Sequence, residues 1–110
     1  MKCFLVFLLY VFCSNNLYAD CVKYYCEEIK VTALMVNRIL VGIGTSGDED
    51  NLMCDSNKFK YLYLKRTHDN FDAIYSLVLA AHVSGENIYI STNRHGPCDV
   101  RNVISTISHD

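Results

Sequence analysis

The residues able to do chemistry fall in a few short clusters. Gly42-Ile43-Gly44-Thr45-Ser46-Gly47 spells the spacing of a dinucleotide-binding loop. That chemistry needs the loop to open a helix whose N-terminus holds a pyrophosphate. Here Asp48-Glu49-Asp50 follows at once and would repel phosphate, so the glycines read as a flexible strand-to-loop turn. The acidic triplet itself could pair acid with base or take calcium, but it lacks the ligand periodicity of a calcium loop. His95-Gly96-Pro97-Cys98 offers two ligands where a structural zinc generally needs four, and His68, His82 and His109 stand alone. A cysteine–histidine nucleophile would need a free thiolate. Metal, cofactor and catalytic residues are therefore each read as none, and the chain as not an enzyme. Tyrosine is the more useful signal: there are eight, and no tryptophan. Tyr24, Tyr25, Tyr61, Tyr63 and Tyr89 each offer a flat apolar face with a hydroxyl, which suits sugars and partner surfaces.

Length and composition bound what can carry these groups. The 110 residues suffice for one small domain. Lys2 precedes the apolar run CFLVFLLYVFC, and Ser14-Asn15-Asn16 leads to a cleavage candidate after Ala19, the pattern of a secretory signal over residues 1–19. The run is short for a membrane span. Phe12 before Cys13 is too bulky for a bacterial lipoprotein signal, so residues 20–110 read as one exported domain, secreted or periplasmic, without an integral membrane segment. Cys21, Cys26, Cys54 and Cys98 remain, an even number that in an exported chain points to disulfides with three pairings open. The preferred pairing is Cys54 with Cys98, which leaves Cys21 with Cys26 as a local second pair. Net charge is −2 and basic residues are dispersed, which argues against nucleic acid as a partner.

The elements that would hold these residues follow from periodicity. Glu28 to Val36 and Lys58 to Leu64 alternate as strands, Arg38 to Ile43 is rich in Ile, Leu and Val, and Leu52 to Asp55 could rejoin a sheet. Gly44 to Asn51 is a loop by composition. Asn70 to Gly85 reads as a helix with Asp69 or Asn70 as N-cap and Gly85 as its left-handed stop. Phe71, Ile74, Tyr75, Val78, Ala81 and His82 share its inner face, where His82 reads as a hydrogen-bonded core residue. Ala73, Ser76, Ala80 and Val83 form a nearly opposite stripe of small residues. With no charge after Asp72, such a helix needs cover on two sides, so the stripe reads as an oligomer interface. Glu86 to Thr92 and Val100 to Ile107 complete the strands around the turn Asn93 to Pro97. Strands, one helix, then strands point to an α+β domain or a small β-barrel with one helix laid across it.

Ser76-Leu-Val-Leu-Ala-Ala-His-Val-Ser-Gly85 followed by Glu86-Asn-Ile-Tyr-Ile-Ser-Thr-Asn93 resembles the secreted bacterial toxin B subunits of Shiga type and their pertussis-like and subtilase-like relatives. Asp20-Cys21 at the expected mature start and the late Cys98 are similar too. The resemblance implies an OB-fold, assembly into a ring of five with the helices at its centre, binding of host-surface glycans, and delivery of a separate catalytic A chain. Where Shiga-type chains carry sugar-contacting aromatics before the helix, this chain has Lys65-Arg66-Thr67-His68-Asp69-Asn70. The ligand-binding candidates are therefore read from the polar strand-end loops of this chain: Asp48, Glu49, Asp50, Asn93 and Arg94, with Tyr61. A monomeric secreted interaction module or inhibitor is the alternative expectation.

Overall fold

A computed structural model describes residues 20–55 and 60–105. The expected signal segment 1–19, and the ends of the strands expected to start at Lys58 and to finish at Ile107, lie outside the described residues. The chain enters as a hairpin, β1 (Asp20–Val22) and β2 (Tyr25–Ile29), in which Cys21 and Cys26 are ladder partners and are disulfide-bonded. After Lys30 it continues as β3 (Val31–Val36), β4 (Leu40–Thr45), a short 3-10 turn (Glu49–Asn51) and β5 (Leu62–Lys65). The helix α1 (Phe71–Ser84), β6 (Ile88–Thr92) and β7 (Val100–Ser105) follow. The strands form two antiparallel sheets, ordered β1-β2-β6-β7 and β3-β4-β5. This is a small α+β domain, and no closed barrel forms among the described residues.

The strand expected over Glu28 to Val36 is two strands in different sheets. Glu28 has φ +52° and sits in a register shift of β2, so the alternation breaks there and the chain changes sheet at Lys30. Lys30 and Ser46 exchange two bonds across this corner, Lys30 N–H to Ser46 Oγ at 2.9 Å and Ser46 N–H to Lys30 O at 3.0 Å. The expected loop from Gly44 is corrected as well. Gly44 and Thr45 belong to β4, and Gly42 and Gly44 pack under Tyr61, where an added Cβ would sit 3.2 Å from ring carbons. Gly47 passes over the first disulfide, 2.8 Å from Cys21 Sγ to where its Cβ would be. The glycines thus serve close packing rather than a flexible turn.

The core lies between the sheets and beneath α1. Ile29, Val41, Ile43, Leu62, Leu64, Val78, Ile88 and Ile90 are fully buried, and both disulfides, Cys21–Cys26 and Cys54–Cys98, are embedded among them. Two crosslinks in so small a domain fit an extracellular or otherwise oxidising compartment. Ile74, Val78 and Ala81 are the buried residues of α1, with Phe71 and Tyr75 packed beside them. His82, though exposed, donates from Nδ1 to the Val31 carbonyl at 2.9 Å. Gly85 ends the helix with φ +76° and an N–H bond to Ala81 O. Asn70 is the N-cap but makes no side-chain cap bond; instead His68 accepts from the Asn70 N–H at 2.9 Å and ties the helix entry to β7 through the Arg101 carbonyl. No helix among the described residues is long and apolar enough to cross a membrane.

Candidate functional site

A concavity lies on the outward face of the four-stranded sheet. In the ladder Tyr25 faces Ser91, and Ser91 faces Asn102, so these three stand in one row across β2, β6 and β7. Tyr89 lies two residues before Ser91 on the same side of the pleat. Tyr24 and Tyr25 meet edge to face with centroids 5.6 Å apart, and Tyr25 stacks on Tyr89 at 5.5 Å and 20°. The result is a strip of aromatic surface beside a cleft of about 230 Å³, which Arg94 and Arg101 also line.

Each side chain of the strip is placed by rigid neighbours. The Cys21–Cys26 crosslink closes the hairpin whose turn carries Tyr24, with Lys23 at φ +53°. Thr92 N–H then bonds the Tyr24 carbonyl at 2.8 Å, holding the turn against the end of β6. Arg94 follows on a turn fixed three ways: Asn93 Nδ2 donates to His95 O, Asn93 Oδ1 accepts from Asp99 N–H, and Asp55 N–H bonds Gly96 O next to the Cys54–Cys98 bridge. From there the Arg94 guanidinium lies 4.3 Å above the centre of the Tyr24 ring. Burial, then the neighbouring Tyr24 and Tyr25 and the Glu27 carboxylate, push the Tyr89 phenol above its usual pKa, so it stays protonated and able to donate at neutral pH.

Of the residues expected to bind ligand, only Arg94 lines this cleft. Asn93 shapes the turn beneath it. The acidic triplet is engaged elsewhere: Asp48 caps the 3-10 turn by accepting from Asp50 N–H, and Asp50 pairs with Lys60, whose pKa is raised first by that hydrogen bond. Glu49 is only 5% exposed and accepts from the hydroxyl and N–H of Thr45 at 2.6 and 3.2 Å. Tyr61 covers the glycines of β4. Cys98 is disulfide-bonded, which removes the thiol that a metal or nucleophile pair with His95 would need. No cluster of three or more His, Cys, Asp or Glu side chains among the described residues could hold a metal ion.

The expected interface residues Ala73, Ser76, Ala80 and Val83 all stand exposed on α1, Val83 at 78%, with Leu79 beside them. Ser91, Thr92, Arg101 and Asn102 are cleft residues absent from the expected set. The signal for them was the alternation that puts Tyr89 and Ser91 on one face; the pairing of β6 with β7, which supplies Asn102, has no local signature. No protein-family model, curated protein or solved structure matches the chain.

Proposed function

We propose that this chain is an exported, non-enzymatic binding module of the toxin B-subunit kind, which takes host-surface glycans in the cleft beside Tyr24, Tyr25 and Tyr89. The observation that carries the reading is the stacked Tyr25–Tyr89 pair bordered by Arg94 on Tyr24 and by Ser91 and Asn102, while the Thr92 hydroxyl is taken up by the Asn93 carbonyl. Pyranose rings present an apolar face and a hydroxyl rim, which an aromatic strip edged by hydrogen-bonding groups complements. The order of neighbouring strands supports an OB-like path. It runs β3-β4-β5, crosses to β7 by the parallel Tyr63–Asp99 bridge, and returns through β6 and β2 to β3 at Lys30. The apolar stripe of α1 would be covered by further copies in a ring, and weak sites repeated around it would gain avidity. A separate catalytic A chain is the partner such a ring would carry. Tyr and Arg also favour protein interfaces, so a monomeric inhibitor that uses the same cleft against a protein is the second reading.

A glycan screen of the mature protein tests the proposal. Sugar binding is expected, and Tyr89→Ala should weaken it about tenfold, roughly 1.4 kcal/mol, with the melting transition retained. Silence across neutral and acidic glycans together with tight binding to a protein would favour the inhibitor.

A further inference from the structure

We propose that the tip of the β3–β4 hairpin, Val36 to Ile39, is a membrane-docking element that seats its aliphatic side chains at the boundary of a lipid surface with anionic headgroups. The tip shares no residue with the aromatic cleft, and the inference does not depend on the glycan reading.

Large aliphatic side chains stand in water at this turn. Val36 is 54% exposed and Ile39 71%, with Met35 exposed beside them. Single exposed aliphatics are ordinary, but a group at the apex of a hairpin can enter a lipid boundary without the rest of the domain. The backbone of the turn is already satisfied from within the chain. Asn37 N–H bonds Leu40 O at 3.1 Å, and Asn37 Oδ1 accepts from the N–H groups of Ile39 and Leu40 at 2.8 and 2.9 Å. Arg66, just after β5, donates from its N–H to Ile39 O at 3.1 Å and from Nε to Asn37 O at 2.9 Å. A backbone group that leaves water without a partner is costly, so a turn closed in this way can leave water where an open one cannot.

Charge complementarity selects the occupant. Arg38 sits on the turn itself, and it is flanked by Lys65, the ladder partner of Leu40, and by Arg66. Strands β3, β4 and β5 contain no Asp or Glu, and Asp48, Glu49 and Asp50 follow the far end of β4. This sheet is therefore cationic at its tip, in a chain whose net charge is −2. Asp99 offsets Lys65 through an ion pair at 3.3 Å, and Asp69 and Asp72 follow Arg66 at the helix entry, so Arg38 carries the largest share of the attraction. Basic side chains around an aliphatic apex match anionic headgroups above an acyl layer. A second copy docked tip to tip would instead bring like charges together.

The test is co-sedimentation of the mature protein with vesicles of phosphatidylcholine, alone or mixed with phosphatidylserine, and free of glycan. Binding to the mixed vesicles is expected to be roughly tenfold tighter than to phosphatidylcholine alone. Arg38→Gln should weaken it about fivefold, and Val36→Ser with Ile39→Ser roughly tenfold, with the melting transition retained because these side chains are exposed. The chain has no tryptophan, so Ile39→Trp supplies a single reporter. Its emission should shift to the blue with mixed vesicles and be quenched by brominated acyl chains, whereas Val83→Trp on α1 should show neither change. No partition of the wild type, or an equal response of both tryptophans, overturns the proposal and leaves the glycan reading standing. Binding that survives loss of both aliphatics overturns the apex as the docking element and leaves charge attraction alone. A changed native mass for that double variant without vesicles also overturns it, by marking the turn as a contact between copies.

Discussion

Glu49 carries a lesson about acidic clusters. By type and position it belongs with Asp48 and Asp50 as a solvated ligand loop, yet its carboxylate is turned inward onto Thr45. Glu49→Ala would leave the Thr45 donors without their acceptor at a nearly buried site and should cost about 1–3 kcal/mol of stability, measured by urea denaturation. Sugar binding should not change, because Glu49 does not line the cleft. The residues that do build the cleft were half legible. Tyr24, Tyr25 and Tyr89 stand out as amphipathic aromatics, and Arg94 as a charge on a turn. Arg101 and Asn102 were hidden because their place depends on which strand lies beside β6, a choice made by packing and not by local residue order.

Among the elements, α1 was the most legible, since an uncharged apolar run with a glycine stop admits few other readings. The first strands were the least. Alternation alone carries a single strand from Glu28 to Val36, yet Glu28 has a positive φ within a register shift and the chain passes from one sheet to the other at Lys30. The hairpin before it, β1 with β2, was missed because strands of 3 and 5 residues carry little periodicity, and a disulfide does part of the work of pairing. Both preferred cysteine pairs are present. Cys54–Cys98 spans 44 residues, closes the loop before β5 onto the start of β7, and lies under the turn that presents Arg94. The double change Cys54→Ser, Cys98→Ser should therefore cost about 2–5 kcal/mol in thermal or chemical unfolding. It should also lower sugar affinity through a loosened Arg94 turn, whereas a stability loss with unchanged affinity would separate the turn from the cleft.

For the whole molecule, the two sheets share one core, and among the described residues the seam between β5 and β7 is bridged by the parallel Tyr63–Asp99 pair and the Tyr63 N–H bond to Cys98 O, with the Asp55–Pro97 bridge beyond them. The cleft and the helix adjoin along β7, since Asn102 lines the cleft and also a hollow that Ala73 of the α1 stripe borders. The two can act at once only if α1 meets other copies while the cleft stays free. Burial of Ile74, Val78 and Ala81 satisfies one side of the helix; Leu79 and Val83 leave the opposite side apolar and in water. Covering such a stripe with an identical helix removes apolar surface at roughly 25 cal/mol per Å² and multiplies the number of cleft sites. Native mass spectrometry of the mature protein, wild type beside Ala80→Glu, tests this most directly. The account predicts a closed ring of about five copies for the wild type and single protomers with intact disulfides for the variant. A wild-type protein that remains a single protomer at high concentration would contradict it.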